Sequence, residues 1–246
     1  TRRFTARADN YARYRPTYPP AALDWLGEVA GLRAGRVVAD AGSGTGILTT
    51  LLLARGATVY AVEPNAAMRA AAEAALAEQP GFISIDATAE ATGLPDASVD
   101  LVTAGQAFHW FEAEAARAEF RRILRPGGGA ALIWNGRDRS AGGFVADYEA
   151  LLAEYATQYQ RVRHGSRMEK IVALFADGFE MRVFDHARQL DYDAVLGGLL
   201  SGSYSPLPDD PRYEAMVARL QAIFAAHQRD GQVVMPYRTQ VYFGRL

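Results

Sequence analysis

The sequence predicts an α/β fold built on a mostly parallel sheet. Short apolar strands alternate with amphipathic helices over residues 21–140, an order typical of parallel sheets that helices cover on both faces. Half of the residues are hydrophobic, which is enough for a sizeable core. A glycine-rich loop, Gly42 to Gly46, follows the first predicted strand. Because such sheets bind ligands at the carboxyl ends of their strands, this loop marks the predicted site.

The elements up to residue 140 follow from apolar periodicity and from helix-breaking residues. Leu23, Leu26 and Val29 mark one face of a first helix over 21–30. The pair Pro64-Asn65 opens the third helix, and Pro80-Gly81 ends it. The remaining predicted ranges are strand 37–40, helix 46–54, strand 58–62, helix 65–78, strand 82–85, strand 99–104, helix 112–124, a turn at 126–129 and strand 130–134.

The pattern changes after residue 140, where helices become longer and strands fewer. Apolar spacing predicts helices over 143–160, 192–200 and 211–228. Alternation predicts a strand over 179–184 and a closing strand over 232–243. Pro236 lacks an amide hydrogen, so we expect it at a bulge or an edge.

Charge and composition limit the partners that the chain can have. The net charge of -2 and pI near 6.1 argue against a general nucleic-acid binder, which needs a basic excess. There is no cysteine and no metal-ligand spacing among the four histidines, so we expect no disulfide and no metal site. The apolar stretches are too short to span a bilayer, and we expect a cytoplasmic protein without a secretory signal or a membrane partner.

The glycine loop has the spacing G-x-G-x-G, with Asp40 two residues before Gly42. Dinucleotide-binding loops follow G-x-G-x-x-G, and the third glycine of that pattern would fall on Ile47. An acid beside the loop repels a pyrophosphate but suits the cationic methionine end of S-adenosylmethionine. Glu63, 23 residues after Asp40, follows the second predicted strand and is placed to accept both hydroxyls of a ribose.

Together these features favour S-adenosylmethionine as the cofactor. There are two alternatives. One is another enzyme class, an NAD-dependent oxidoreductase on a similar sheet; the other is a non-catalytic cofactor-binding or regulatory protein with this fold. An RNA methyltransferase is disfavoured by the net charge.

The sequence resembles the class I methyltransferases over residues 1 to about 135. The motifs that carry the resemblance are Asp40-Ala41-Gly42-Ser43-Gly44-Thr45-Gly46, Val62-Glu63-Pro64-Asn65 with Met68, and Leu124-Arg125-Pro126-Gly127-Gly128. More narrowly, segments 11–19, 89–95 and 106–111 look like the small-molecule branch that includes trans-aconitate methyltransferase-like proteins. The resemblance implies a Rossmann-like class I methyltransferase fold, with a mostly parallel seven-stranded sheet, helices on both faces and an antiparallel closing strand.

The resemblance also implies a single domain over 1–246 and a set of cofactor contacts. Residues 1–20, the N-terminal arm, would lie over the cofactor; residues 21–140 would bind it, and 141–246 would cover the substrate. Glu63 would hold the ribose and Gln106 would lie near the sulfonium. The other expected cofactor residues are Gly42, Ser43 and Gly44 at the methionine part, Pro64, Asn65 and Met68 at the adenine border, and Ala89 and Glu90 in the adenine-facing loop.

One position departs from the pattern of the family. Many relatives have an aspartate where this chain has Thr88. The contact to the adenine amino group is therefore open between the Thr88 hydroxyl, the backbone of Ala89 and the carboxylate of Asp86.

Candidates for the chemistry lie at the ends of the fourth and fifth strands. His109 is a base or a substrate contact, or alternatively a structural residue packed beside Trp110. Phe108 and Trp110 form a pocket wall or belong to the core. Asn135 hydrogen-bonds the acceptor or caps a turn.

The N-terminal arm has a functional and a purely solvated interpretation, and the fold favours the functional one. Tyr11 and Tyr18 would cover the sulfonium and the pocket, and Arg15 would bind the methionine carboxylate or an acidic substrate. Tyr204 is expected in the region covering the pocket. The resulting prediction is methyl transfer to a small molecule, with an oxygen acceptor favoured, by a monomer or a homodimer.

Overall fold

Seven strands form one sheet in the computed structural model, which describes residues 13–156, 167–202 and 204–246. They are β1 (Val37–Ala41), β2 (Thr58–Val62), β3 (Phe82–Ile85), β4 (Val99–Gly105), β5 (Leu124–Arg137), β6 (Glu180–Leu190) and β7 (Val233–Arg245). Their order is β3-β2-β1-β4-β5-β7-β6. The first five strands are parallel, whereas β7 runs antiparallel to both β5 and β6. The predicted fold class, including the antiparallel closing strand, is confirmed.

Helices flank this sheet on both faces. They are α1 (Pro20–Ala30), α2 (Ile47–Leu53), α3 (Ala66–Leu76), α4 (Ala113–Ile123), α5 (Gly143–Tyr155), α6 (Arg167–Leu174), α7 (Tyr192–Leu200) and α8 (Tyr213–His227). Alternate residues of β5 point to opposite faces: Leu132 packs in one apolar cluster with Phe120 of α4, and Ile133 packs in another with Trp25 of α1. A third cluster joins α5, α7 and α8 to the start of β7.

Several element boundaries differ from the sequence prediction. The fifth strand begins at Leu124, because the predicted turn at 126–129 is an irregularity within β5 that shifts its register against β4. Strand β6 extends to Leu190 rather than to 184, and α5 ends at Tyr155 rather than at 160. Helix α6 was not predicted.

Pro236 lies inside β7 but past the end of its pairing with β5. The last pair of that ladder is Arg137 with Tyr237, and the carbonyl of Pro236 accepts from the amide of Asp138. The proline nitrogen faces the same side, where β5 has already ended. Pro236 is therefore at an edge only locally: the pairing with β5 has ended beside it, although β7 as a whole is an internal strand.

The described part of the chain has neither a membrane-spanning helix nor a metal-binding cluster. No helix there is long and apolar enough to cross a bilayer, and no group of three or more histidine and acidic side chains is arranged to hold a metal ion. Tyr11 lies outside the described residues, so its predicted role stays a prediction.

Candidate active site

The glycine loop lies at the carboxyl edge of the sheet, beside the end of β2. The amides of Gly42 and Ser43 both donate to the carbonyl of Val62, at 2.8 and 3.1 Å, and these bonds fix the loop. Gly42 and Gly44 have φ of 66° and 59°, a conformation that glycine adopts at little cost. A Cβ on Gly44 would meet only the sulfur of Met68, at 3.9 Å. The loop backbone is thus open to the cleft beside it.

Backbone amides hold the carboxylate of Glu63 in one orientation. Its Oε2 accepts from the amide of Gly44 at 3.0 Å, and its Oε1 accepts from the amide of Asn65 at 2.8 Å. Burial raises the pKa of Glu63, and these two N–H donors oppose the rise. Because a carboxylate oxygen accepts two hydrogen bonds, each oxygen keeps a position for a ligand hydroxyl. Asn65 also caps α3, accepting from the amides of Ala67 and Met68 at 3.1 Å.

Asp40 is fully buried beneath the loop. Its Oδ2 accepts from the hydroxyl of Thr49 at 2.7 Å and its Oδ1 from the hydroxyl of Thr103 at 2.9 Å. Burial raises the pKa of Asp40 to about 6, although both hydroxyl donors favour the charged form. Asp40 also borders a small recess with Tyr18 and Ser43. The buried Oγ of Ser43 has no hydrogen-bond partner among the described residues.

An open cleft of about 320 Å³ runs from the glycine loop to the end of β4. Seven of the predicted cofactor residues line it, namely Gly42, Gly44, Glu63, Pro64, Asn65, Met68 and Gln106. Trp110, half exposed, and Phe111 form its opposite wall. The structure therefore brings together residues that the sequence places in three separate loops.

The residues predicted to contact adenine are less clearly placed. Ala89 is buried, the Oε1 of Glu90 accepts from the amide of Glu112 at 3.0 Å, and neither lines the cleft. Both carboxylate oxygens of Asp86 accept from Arg69, at 2.9 and 2.8 Å. Thr88 is exposed. The adenine contact stays a prediction.

Gln106 directly follows β4 and has a backbone conformation that is rare for a residue with a side chain. Its φ is 59°, and such strain is often found at functional sites. Two bonds hold it there: its amide donates to the carbonyl of Ile133 at 2.9 Å, and its Nε2 donates to the carbonyl of Asn135 at 3.0 Å. Gln106 lines both the cleft and a second cavity described below, so it separates the two.

The aromatic residues after Gln106 differ in exposure. Phe108 is fully buried and packs edge-to-face on Phe111, so it supports the cleft wall from the core rather than forming its surface. His109 lies in a single turn of 3₁₀ helix and packs on Trp110, with ring centroids 4.8 Å apart. His109 is not among the described residues that line the cleft. Its catalytic role stays a prediction.

The described part of the N-terminal arm is fastened across the ends of β5 and β6. The Nδ2 of Asn135 donates to the carbonyls of Pro16 and Thr17, at 3.4 and 3.0 Å, and Arg188 donates to the carbonyl of Tyr14 at 3.0 Å. Asn135 therefore holds the arm in place. Tyr18 is buried, and its hydroxyl lies close over Gly105.

The arm closes a second cavity of about 60 Å³ on the other side of Gln106. Tyr14, Arg15 and Pro16 of the arm form one wall. The polar residues facing them, other than Gln106 and Asn135, are Arg137 of β5, Tyr148 of α5 and Tyr237 of β7. The sequence analysis missed these three. The available signal for Arg137 was its position two residues after Asn135 on the same strand, which puts both side chains on one face. Tyr204 belongs to the apolar cluster that contains Tyr148.

Part of the chain matches known methyltransferases in sequence. Residues 39–132 match the family model described as a methyltransferase domain. An uncharacterized methyltransferase of Mycobacterium tuberculosis is 45% identical over 139 residues, which are 56% of this chain and 54% of the relative. An uncharacterized methyltransferase of Schizosaccharomyces pombe is 36% identical over 140 residues, 56% of this chain and 55% of the relative. The chain thus spans about half the length of the curated relatives that it matches.

One solved structure matches nearly the whole chain. It comes from Anaeromyxobacter dehalogenans and bears the name of a type II methyltransferase; it has a TM-score of 0.70 and 27% identity, over 94% of this chain and 98% of that one. The chain therefore has the class I methyltransferase fold, and its residues 39–132 match a methyltransferase family that uses S-adenosylmethionine.

Proposed function

We propose that this chain transfers the methyl group of S-adenosylmethionine to an oxygen of a small-molecule acceptor, as a member of the small-molecule branch that includes trans-aconitate methyltransferase-like proteins. The observation that carries the proposal is Glu63, whose two oxygens are each fixed by one backbone amide at the side of an open cleft. A carboxylate held in this way is set to receive a vicinal pair of hydroxyls, such as those of a ribose.

The cleft and the recess beside it offer groups suited to several parts of the cofactor. Gly44 leaves room for a ligand to approach the loop backbone, and Pro64 with Met68 supplies an apolar border for a base. The buried Oγ of Ser43, without a partner in the described part of the chain, is available to the amino-acid end. The negative charge of Asp40 beneath the loop favours a cationic ligand.

When bound, S-adenosylmethionine supplies a methyl carbon that an acceptor lone pair attacks, forming the oxygen–carbon bond while the carbon–sulfur pair returns to sulfur. The protein has to align the acceptor and exclude water. Gln106 lies where the two cavities meet, so an acceptor in the second cavity would approach the cofactor past its side chain. The hydroxyl, amide and guanidinium donors around that cavity favour an oxygen-bearing acceptor.

Calorimetric titration with S-adenosylhomocysteine tests the first step. Glu63→Ala should weaken the affinity by about 1–3 kcal/mol, because it removes the ribose acceptor. Glu73→Ala is the matched control, since Glu73 lies on α3 with its carboxylate half exposed and outside the cleft lining. No binding by the unmodified chain at millimolar ligand would contradict the proposal, and equal affinities of the two variants would remove the role of Glu63.

A screen of acceptors tests the second step. Transfer of a labelled methyl group to a small molecule supports an enzyme, and a product with a new oxygen–methyl bond supports the oxygen acceptor. Tight cofactor binding without transfer to any compound would instead indicate a cofactor-binding protein that does not catalyse the reaction.

A further inference from the structure

Lys170 is the only lysine among the 26 lysine and arginine residues of the chain. It lies in α6, and its Nζ donates to the carbonyl of Phe111 at 2.7 Å and to that of His109 at 3.4 Å. An ammonium group is a compact donor that can serve two acceptors at once, and its charge makes such bonds stronger than neutral ones. Lys170 therefore fastens α6 to the short segment between these two carbonyls.

The segment that Lys170 holds is part of the wall of the cofactor cleft. Trp110 lies between the two bonded carbonyls, and both Trp110 and Phe111 line the cleft. The ring of Phe111 also lies close to the glycine loop, since a Cβ on Gly42 would be 3.2 Å from its Cζ. The bonds of Lys170 are thus connected to the glycine loop through a single residue, Phe111.

The position of this wall depends on groups outside it. Trp110 belongs to a 3₁₀ turn of three residues, and so short a turn has few bonds of its own. On one side the Oε1 of Glu90 accepts from the amide of Glu112, at 3.0 Å, just after the turn. On the side of α6 the bonds come from Lys170. Loss of Lys170 would therefore release the wall on that side.

We propose that Lys170 is a positioning residue for the cofactor: it holds Trp110 and Phe111 in the cleft wall and thereby raises the affinity of the cleft for S-adenosylmethionine. The inference rests on the proposed function. Lys170 is not among the described residues that line the cleft, so it acts through the wall and not on the cofactor itself. A helix from the second half of the chain thus takes part in binding a ligand that the first half surrounds.

Calorimetric titration of Lys170→Met with S-adenosylhomocysteine tests this role, because methionine has a similar length and no donor. The dissociation constant should rise about five- to tenfold. Lys170→Arg restores a charged donor and should recover most of the affinity. Arg117→Met is the matched control. Arg117 also fastens α6, but at the other end of the helix, where its Nε donates to the carbonyl of Leu174 at 3.1 Å. Arg117→Met should therefore bind as tightly as the unmodified chain.

Trp110 provides a readout that a general loss of stability would not change. Of the three tryptophans, Trp25 and Trp134 are buried, whereas Trp110 is 50% exposed. Acrylamide, which is uncharged, should therefore quench the fluorescence of Trp110 in preference to the others. Bound S-adenosylhomocysteine should protect Trp110 in the unmodified chain and in Arg117→Met. At equal saturation we expect weaker protection in Lys170→Met, because the wall no longer lies against the ligand.

The inference is overturned if Lys170→Met binds as tightly as the unmodified chain. It is also overturned if Arg117→Met loses as much affinity as Lys170→Met, since the effect would then come from a loosened helix. Should Lys170→Met fail to fold, acetylation of the folded chain gives the same comparison, because the sequence has no other lysine. Absence of S-adenosylhomocysteine binding by the unmodified chain would refute the proposed function, whereas normal binding that is insensitive to Lys170 refutes only the positioning role.

Discussion

Two neighbouring glycines of α7 should respond to alanine in opposite directions. The ring of Tyr14 lies directly against Gly197, so that a Cβ at this position would overlap the ring atoms. A Cβ on Gly198 would meet nothing within 4 Å. Both residues lie inside the helix Tyr192–Leu200, so the same backbone effect applies to both and only the packing differs.

The expected changes in the free energy of unfolding follow from the backbone effect and from the packing against Tyr14. Replacing glycine by alanine inside a helix stabilises a protein by about 0.5–1 kcal/mol. Gly198→Ala should show this gain. At Gly197 the extra methyl also has to displace Tyr14, and overpacking costs about 1–3 kcal/mol. We therefore expect Gly197→Ala to destabilise the chain by about 1–2 kcal/mol, with a gap of about 2 kcal/mol between the variants.

Denaturant unfolding measures both variants against the unmodified chain at fixed pH. Stabilisation of both variants by the same amount would refute the packing of Tyr14 on α7, and with it the placement of the arm. The displaced arm has a second consequence, because Tyr14, Arg15 and Pro16 form one wall of the second cavity. Gly197→Ala should therefore also change the second cavity without weakening the binding of S-adenosylhomocysteine in the cleft.

Three further predictions concern the cleft and the arm. Gly44→Ala should lower the affinity for S-adenosylhomocysteine at least tenfold, measured by calorimetry, because the added methyl group enters the cleft. Gly93→Ala is the control and should bind normally, since Gly93 also has a positive φ but has no close neighbour and lies outside the cleft. Burial raises the pKa of Asp40 from its ordinary 3.8 to about 6, so the folded state holds this proton more tightly. The stability that Asp40 contributes should fall by about 2 kcal/mol as the pH rises from about 4 to about 6, and by about 3 kcal/mol in all once the pH is well above 6. Asp40→Asn should remove that decline in unfolding measured across this range. Asn135→Ala should destabilise the chain by about 1–3 kcal/mol and speed proteolysis of the arm, because it leaves arm carbonyls and the hydroxyl of the buried Thr239 without their partner; unchanged proteolysis would contradict the fastening.

The cofactor cleft was predictable because its signals are local. The glycine loop and Glu63 each follow a strand directly, and the parallel order of β1 and β2 brings their carboxyl ends together. Most of the predicted cofactor residues line one cleft for this reason. Ala89 and Glu90, two of the predicted residues that do not line the cleft, lie in a turn between Thr88 and Ala91, where the sequence carries no periodicity that would fix their orientation.

The second cavity was not predictable in the same way. Arg137, Tyr148 and Tyr237 come from β5, α5 and β7, and they meet only because β7 inserts between β5 and β6. No pattern in the sequence indicates that β7 inserts between β5 and β6. Helix α6 was missed for a related reason: it is short, and its pattern of a few apolar residues, Ile171 and Leu174, becomes meaningful only when α4 provides the surface that buries them.

The cleft and the second cavity meet at the end of β4, and their charged lining residues have opposite signs. Asp40 and Glu63 border the glycine loop, where a cationic donor would be stabilised, whereas Arg15 and Arg137 border the second cavity. Gln106 lines both cavities and carries no charge. Its strained backbone is held by Ile133 and Asn135, and Asn135 also fastens the arm. The position of the arm and that of Gln106 are therefore coupled through Asn135, so that the second cavity is complete only when the arm lies in place.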